Sequence, residues 1–337
     1  MIYNVAILGL GEIVSRHLIA LKSNAKHFNI VGIYDPKIEL TNKYQVELDC
    51  KVYNSEDEAY EDQEVNCIII LTPSDLHYKQ AIKALNYNKN IILEKPAVFS
   101  IKELDEIIML ADTRDCNIFT ILQVRLTPEI LIAKELLSQN LLGDIIGASL
   151  VQRWQRPITY FNNWRGSMSG SGGILSEFAI HYLDILQLLL GSPTPIAATF
   201  YNNKFYNTDV ADSIYALLDF NKKFAATVEV TVACEPRNIE CTLLIRGTNG
   251  FLRLGGKSLN QIVELEFLDN HDENLIKVEE ITQDVHNKLD FNTLVARGAS
   301  PYHPQLYYQI IHNPSQFDIK ETYNVIKLIE EIYSLQQ

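Results

Sequence analysis

The sequence predicts an α/β protein of two domains: a doubly wound parallel sheet over residues 1–122, then an α+β domain with a large, mostly antiparallel open sheet over residues 123–337. Three observations carry this. Short apolar runs alternate with amphipathic stretches in the first third, a glycine turn follows the first of those runs, and strand-like alternation without intervening helices fills much of the second part. A length of 337 residues suits about two ordinary domains.

Tyr3 to Leu8, Ile30 to Tyr34, Cys67 to Leu71, Ile91 to Leu93 and Ile118 to Leu122 are rich in Ile and Val, the pattern of strands buried on both faces. Between them, Ile13, His17, Leu18 and Leu21 share one helical face, as do Leu104, Ile107, Ile108 and Ala111. Ser100 and Glu103 open the second of these helices as a capping box. Strands alternating with helices imply right-handed crossovers and hence a parallel sheet. Beyond residue 122 the character changes. Thr127-Pro128-Glu129 opens a helix to about Gln139, and Leu175 to Leu190 forms a second, strongly apolar one. From Ile196 to about Val278 strands are expected, for example Ser213 to Leu218 and Ala226 to Val232. Helices from about His303 to His312 and Ile319 to Leu335 close the chain.

Lys and Arg number 29 and Asp and Glu 42, a net charge of −13. Such a surface repels nucleic-acid phosphates and anionic lipid, so neither nucleic acid nor membrane is an expected partner. A small anionic substrate stays possible, since one or two arginines suffice for it. No apolar run is read as long enough to cross a bilayer, which takes roughly 18 to 20 residues. The N-terminal MIYNVAILGLGEIV lacks a basic leader region, and the cytoplasm is the expected location. The five cysteines are scattered without a C-x-x-C pair, so reduced thiols are expected and no metal site.

Gly9-Leu10-Gly11-Glu12-Ile13-Val14 follows the first strand and opens the first helix. In a dinucleotide fingerprint the first glycine makes the tight turn and the second lets the diphosphate approach the backbone, at a helix N-terminus whose free N–H groups attract it. Val14 stands where a third glycine is usual. Asp35, at the end of the second strand, is placed to bind the adenosine ribose hydroxyls and to repel a 2′-phosphate, which favours NAD over NADP.

Glu94-Lys95-Pro96 ends the apolar run at Ile91 to Leu93, where ligands of open α/β sheets gather. A lysine there can stabilise a developing alkoxide. Thr72-Pro73-Ser74-Asp75-Leu76-His77 followed by Glu94-Lys95-Pro96 resembles the Gfo/Idh/MocA oxidoreductases. The likeness continues in Gly172-Gly173-Ile174-Leu175-Ser176-Glu177-Phe178-Ala179-Ile180-His181-Tyr182-Leu183-Asp184, with Glu177 where many members carry Asp or Asn. The resemblance implies a Rossmann domain whose Thr72, Pro73, His77, Glu94 and Lys95 join Gly9, Gly11, Glu12, Ile13 and Asp35 at the cofactor. It also implies Lys95, His181 and Glu177 as catalytic residues. Independently of any family, Glu177 and His181 are four apart, so one helical face presents both and the carboxylate can orient the imidazole.

Gln123-Val124-Arg125, Trp154-Gln155-Arg156 with Tyr160, Trp164-Arg165-Gly166, and Tyr302-His303-Pro304-Gln305-Leu306-Tyr307 look like the UDP-N-acetylglucosaminuronate 3-dehydrogenases within that family. This implies a sugar or sugar-nucleotide substrate touched by Arg125, Arg156, Tyr160, Trp164, Arg165, Asp184 and His303, and homodimers or homotetramers through the C-terminal sheet. The expected activity is NAD-dependent oxidation of a sugar hydroxyl. The alternatives are an inositol or simple aldose dehydrogenase, and a non-catalytic NAD-binding regulator.

Overall fold

The computed structural model of the chain describes residues 2–204, 208–269, 271–288 and 302–336. The chain forms two compact units: Met1–Gln123 with Asn292–Tyr323, and Val124–Phe291 with Asn324–Gln337. A single cut after residue 122, with 123–337 as one domain, does not describe it, because the polypeptide returns to the first unit before it ends.

In the first unit β1 (Tyr3–Leu8), α1 (Val14–Ser23), β2 (Phe28–Tyr34), α2 (Ile38–Leu48), β3 (Lys51–Val52), α3 (Glu56–Glu61), β4 (Cys67–Ile70), α4 (Ser74–Asn86), β5 (Asn90–Leu93), α5 (Ile101–Arg114) and β6 (Ile118–Thr120) follow in order. The six strands form a parallel sheet ordered β3-β2-β1-β4-β5-β6, the doubly wound arrangement. Its centre is apolar on both faces, which the Ile-rich runs require. Of its strands only β3 was not foreseen; two residues are too short to display a period. At the start of α5, Ser100 Oγ accepts the Glu103 N–H at 3.2 Å. The Glu103 carboxylate in turn accepts from Phe99 N at 3.1 Å, so the expected capping box closes one residue further back.

The second unit contains α6 (Pro128–Ser138), β7 (Ile145–Arg153), α7 (Met168–Ser171), α8 (Ile180–Leu190), β8 (Thr194–Tyr201), β9 (Ser213–Phe220), β10 (Phe224–Thr231), β11 (Glu240–Gly247), β12 (Gly250–Gly255), β13 (Gln261–Phe267) and α9 (His271–Lys288). Its seven strands are ordered β13-β12-β11-β7-β10-β9-β8. Only the β7–β10 pairing is parallel; the other neighbours run antiparallel. The expectation of strands to about Val278 is corrected: they end at Phe267, and α9 buries Asn274, Ile281 and Val285, spaced for a helix rather than a sheet. The reading that no apolar run suffices to cross a bilayer is corrected too. Met168–Leu190 is a helical run of 23 residues that qualifies by length and composition, and 67% of its most apolar window is buried, as in a core helix.

Two further helices follow, α10 (Tyr302–His312) and α11 (Tyr323–Ser334). In the first unit α10 packs on α1 and buries His303, Leu306, Tyr307 and Ile310. Asn24 donates to the Pro304 carbonyl at 3.0 Å, and the Tyr307 ring meets Phe28 edge-on at 5.2 Å. Asp318 then bridges to Phe119 beside β6, and Lys320 pairs with Asp112 at 2.9 Å.

Candidate active site

The glycine turn after β1 uses its two glycines differently. Gly9 has φ +91°, and a Cβ there would lie 2.8 Å from the Leu71 carbonyl, so both the backbone conformation and the neighbouring loop require a glycine. Around Gly11 a Cβ would meet nothing within 4 Å: the space in front of it is open. Asp35, just beyond β2, accepts the Leu10 N–H through Oδ2 at 2.8 Å and the Lys37 N–H through Oδ1 at 2.9 Å. Its carboxylate is thereby fixed at the mouth of the turn, while Glu12 is exposed and Ile13 stands at the start of α1. Open space at Gly11, the α1 N-terminus and an oriented aspartate are what a diphosphate and an unphosphorylated ribose require.

The loops after β4 and β5 are tied together by His77. Its Nδ1 lies 2.7 Å from the Pro96 carbonyl and its Nε2 2.9 Å from the Thr72 carbonyl. His77 was expected at the cofactor, but it is 1% exposed and braces the two loops instead. Burial pulls its pKa down against the two carbonyls. Thr72 and Pro73 remain partly exposed, with Thr72 Oγ1 held by Gln80 at 2.5 Å. Lys95 is half-buried and precedes a cis peptide bond to Pro96.

Glu94 and His303 receive a similar correction. They are 7% and 1% exposed, and neither presents a surface to nucleotide or sugar. Glu94 Oε1 accepts from His17 Nε2 at 2.9 Å, with His303 Nε2 3.9 Å away. The three groups bring ligand-type atoms within 4.8 Å of one another, although the sequence shows no metal pattern. Burial alone would raise the Glu94 carboxyl, yet the neighbouring imidazoles hold it well below the usual range. Sequence reasoning missed His17 and Tyr307 as members of this cluster. Two signals were available: a histidine on the apolar face of α1, and the four-residue spacing of His303 and Tyr307.

In the second unit Gly172 and Gly173, at φ +66° and +78°, turn the chain into Leu175–Ala179, a π-helical turn that leads directly into α8. A Cβ at Gly173 would collide with Tyr333 Oη, which itself accepts the Leu175 N–H. Such turns recur at functional sites because they re-aim side chains. Glu177 sits in this turn, and His181 is the partly exposed residue between buried Ile180 and Tyr182. Glu177 Oε1 accepts from Tyr160 Oη at 3.1 Å and from Arg165 Nε at 3.4 Å. Asp184, expected at the substrate, instead takes Arg125 in a two-bond fork of 2.7 and 2.6 Å. Both groups are thus neutralised inside the fold.

Arg156 is different. Its guanidinium lies 4.9 Å from the Trp154 and Phe178 rings and 5.7 Å from Tyr160, bonded to the Gln155 carbonyl. Among the described residues no carboxylate lies within ion-pair distance of it. Arg165 stacks on Trp164 at 4.3 Å and Tyr160 at 4.7 Å. Tyr160 thus lies under both arginines, and burial pushes its phenol up to about 12.

The first unit is therefore an NAD-binding oxidoreductase fold. Residues 3–121 match the model of the oxidoreductase family with the NAD-binding Rossmann fold, and residues 130–253 match the GFO/IDH/MocA C-terminal domain. The chain belongs to the Gfo/Idh/MocA oxidoreductases. An uncharacterized oxidoreductase of Streptococcus pneumoniae serotype 4 is 30% identical over 232 residues, 67% of this chain and 61% of that relative. The fold is similar to that of the WlbA dehydrogenase from Bordetella pertussis, solved with NADH and UDP-GlcNAcA. There the TM-score is 0.86 at 22% identity, over 99% of this chain and 95% of the other. A levoglucosan dehydrogenase solved with NADH and levoglucosan superposes with a TM-score of 0.82 at 18% identity, over 99% and 97%. At these identities the likeness is one of fold.

Proposed function

We propose that the protein oxidises a hydroxyl of an anionic sugar nucleotide, a UDP-activated N-acetyl-hexuronic acid oxidised at C3 in surface-polysaccharide synthesis. The observation that carries this reading is Arg156. A guanidinium stays charged at neutral pH; burial lowers its pKa, opposed by Tyr160 and the charge of Glu177. A half-buried cation that no carboxylate of the described residues approaches to ion-pair distance suits an anionic group, and Trp154, Tyr160 and Phe178 offer flat apolar faces beside it. The WlbA dehydrogenase, bound to UDP-GlcNAcA, supports the same class of ligand.

When bound, NAD supplies the hydride acceptor; Gly9, Gly11, Asp35, Thr72 and Pro73 would hold it, with Asp35 favouring NAD over NADP. Lys95 places positive charge at the substrate oxygen. His181 takes the hydroxyl proton as general base. Glu177 accepts from Tyr160 and Arg165 and so holds those two side chains in place just ahead of α8. We read the assembly as a cytoplasmic homodimer or homotetramer formed through the seven-stranded sheet, whose outer strands expose Ile196, Tyr201, Tyr215 and Val263. Light scattering tests that part.

Titration calorimetry with UDP, UDP-N-acetylglucosamine and its uronic acid, each with NAD present, tests the substrate. The wild type should bind the acid more tightly than the neutral sugar. Arg156→Met should erase that difference, a loss of roughly 10- to 150-fold for a contact to a charged group. Equal wild-type affinity for acid and neutral sugar overturns the carboxylate assignment. A second reading, a neutral aldose or inositol dehydrogenase, is favoured by one observation: Arg125 and Arg165 already have carboxylate partners. Absence of UDP binding would select it.

A further inference from the structure

We propose that Tyr307, His17 and Glu94 form a directed hydrogen-bond chain that positions the backbone of Lys95, making the returning helix α10 a support of the residue that steadies the substrate oxygen. The inference rests on the role given to Lys95 above.

The direction of the chain follows from donor and acceptor chemistry. Glu94 is ionised and only accepts. Its Oε1 lies 2.9 Å from His17 Nε2, so Nε2 carries a proton. Its Oε2 accepts the Lys95 N–H at 3.0 Å, so both carboxylate oxygens are engaged. Burial keeps His17 neutral, opposed by the Glu94 bond. A neutral imidazole with its proton on Nε2 accepts at Nδ1, and Tyr307 Oη, 2.7 Å away, must donate there. Burial also holds the Tyr307 phenol well above its usual range and therefore protonated. Every proton in the chain points toward Glu94.

Packing makes the chain rigid. The His17 ring is met edge-on by His303 at 5.3 Å and by Tyr307 at 5.8 Å. His303 and Tyr307 are one turn apart on α10, so the His-x-x-x-Tyr spacing clamps one imidazole between two aromatic groups. The clustering of His17, Glu94 and His303 also raises the thought of a metal. However, His17 and Glu94 already engage one another, Tyr307 and Lys95, and only His303, whose two ring nitrogens are buried without a hydrogen-bond partner among the described residues, stands outside this node. The sequence distance is large: 290 residues separate Tyr307 from His17, and 77 separate His17 from Glu94.

Hydrogen exchange at the Lys95 amide reads the proposal without any substrate. The full-length protein is compared with Glu94→Ala, Glu94→Gln and Tyr307→Phe by fragment-resolved mass spectrometry. Losing a bond to a charged acceptor should speed Lys95 exchange by about tenfold or more in Glu94→Ala. Tyr307→Phe should speed it by about threefold, leaving Leu93 and the NAD dissociation constant within about twofold. Glu94→Gln should restore protection, because a glutamine can accept from Lys95 and donate to His17, whose tautomer then reverses toward Tyr307. Wild-type exchange in both Glu94→Ala and Tyr307→Phe overturns the chain. Should Glu94→Ala fail to fold, Tyr307→Phe, which removes a single oxygen, still decides. Turnover is then measured with the substrate found by calorimetry: kcat should fall with exchange protection while KM for NAD holds. If Lys95→Ala abolishes turnover but Tyr307→Phe and Glu94→Ala retain it, the positioning role fails alone. If Lys95→Ala keeps more than half its turnover, the role given to Lys95 fails, and the exchange result still judges the chain.

Discussion

Replacing Gly11 by alanine should remove most NAD affinity while leaving the unliganded fold intact, and the same change at Gly9 should chiefly destabilise the unliganded fold. Around Gly11 a methyl group meets nothing within 4 Å, and its backbone is not in the left-handed region, so stability should move by no more than about 0.5 kcal/mol. That methyl would fill the space a diphosphate needs. Losing one or two backbone contacts to a charged group costs about 1.5 to 3 kcal/mol each, or roughly 10- to 150-fold in affinity per contact. At Gly9 the positive φ alone costs an L-residue about 1 to 2 kcal/mol. A methyl 2.8 Å from the Leu71 backbone adds overpacking strain of about 1 to 3 kcal/mol. At roughly 2 to 4 °C per kcal/mol, Gly9→Ala should melt about 4 to 20 °C lower. Thermal unfolding without NAD and fluorescence titration with NAD measure the two effects separately. A Gly11→Ala protein that binds NAD within about twofold of wild type, or melts as low as Gly9→Ala, would refute the reasoning.

Asp35→Ser should weaken NAD and narrow its advantage over NADP, because it removes both a ribose acceptor and a negative charge; a wild type preferring NADP by about tenfold in titration would contradict this. Arg125→Ala should destabilise the second unit by about 3 to 5 kcal/mol, since it removes the two-bond fork from the buried Asp184 carboxylate, and Arg125→Met with Asp184→Leu should recover most of the loss. Chemical denaturation checks this, and a neutral Arg125→Ala would return the residue to the substrate. Burial holds the His17 imidazole below its ordinary value of about 6.5 in the fold, so it contributes stability above that pH that is lost as the pH falls through the depressed folded value. Melting temperatures from pH 7 downward should therefore decline, and His17→Gln, which keeps a donor for Glu94 and an acceptor for Tyr307, should flatten that slope; an unchanged slope would exclude His17 as its source.

The central sheet was legible because strands buried on both faces leave unbroken apolar runs, as at Ile68, Ile69 and Ile70. The glycine turn and Asp35 were legible because their roles are local. What escaped was partnership. An amphipathic helix announces an apolar face but not the surface that will cover it, so α10 was assigned to the wrong unit. Arg125 and Asp184 lie 59 residues apart, and nothing in either residue's neighbourhood distinguishes an arginine kept for a ligand from one spent on an aspartate. Arg156 carries the same letter and a comparable setting, yet among the described residues no carboxylate forks onto it as Asp184 does onto Arg125. The strand expected up to Val278 failed for a related reason: scattered Val and Ile residues fit either period until the intervening acidic residues are counted.

The return of the chain to its first unit bears on how the protein is made. Synthesis from the N-terminus releases the six strands of the nucleotide sheet early, but α1 lacks its covering helix until residues 302–312 emerge. His17 and Glu94 meanwhile lack Tyr307 and the rings of α10. The domain that begins folding first on the ribosome is thus among the last to be completed. Loss of the chain from residue 302 onward, though far from the glycine turn in sequence, would strike the nucleotide domain itself.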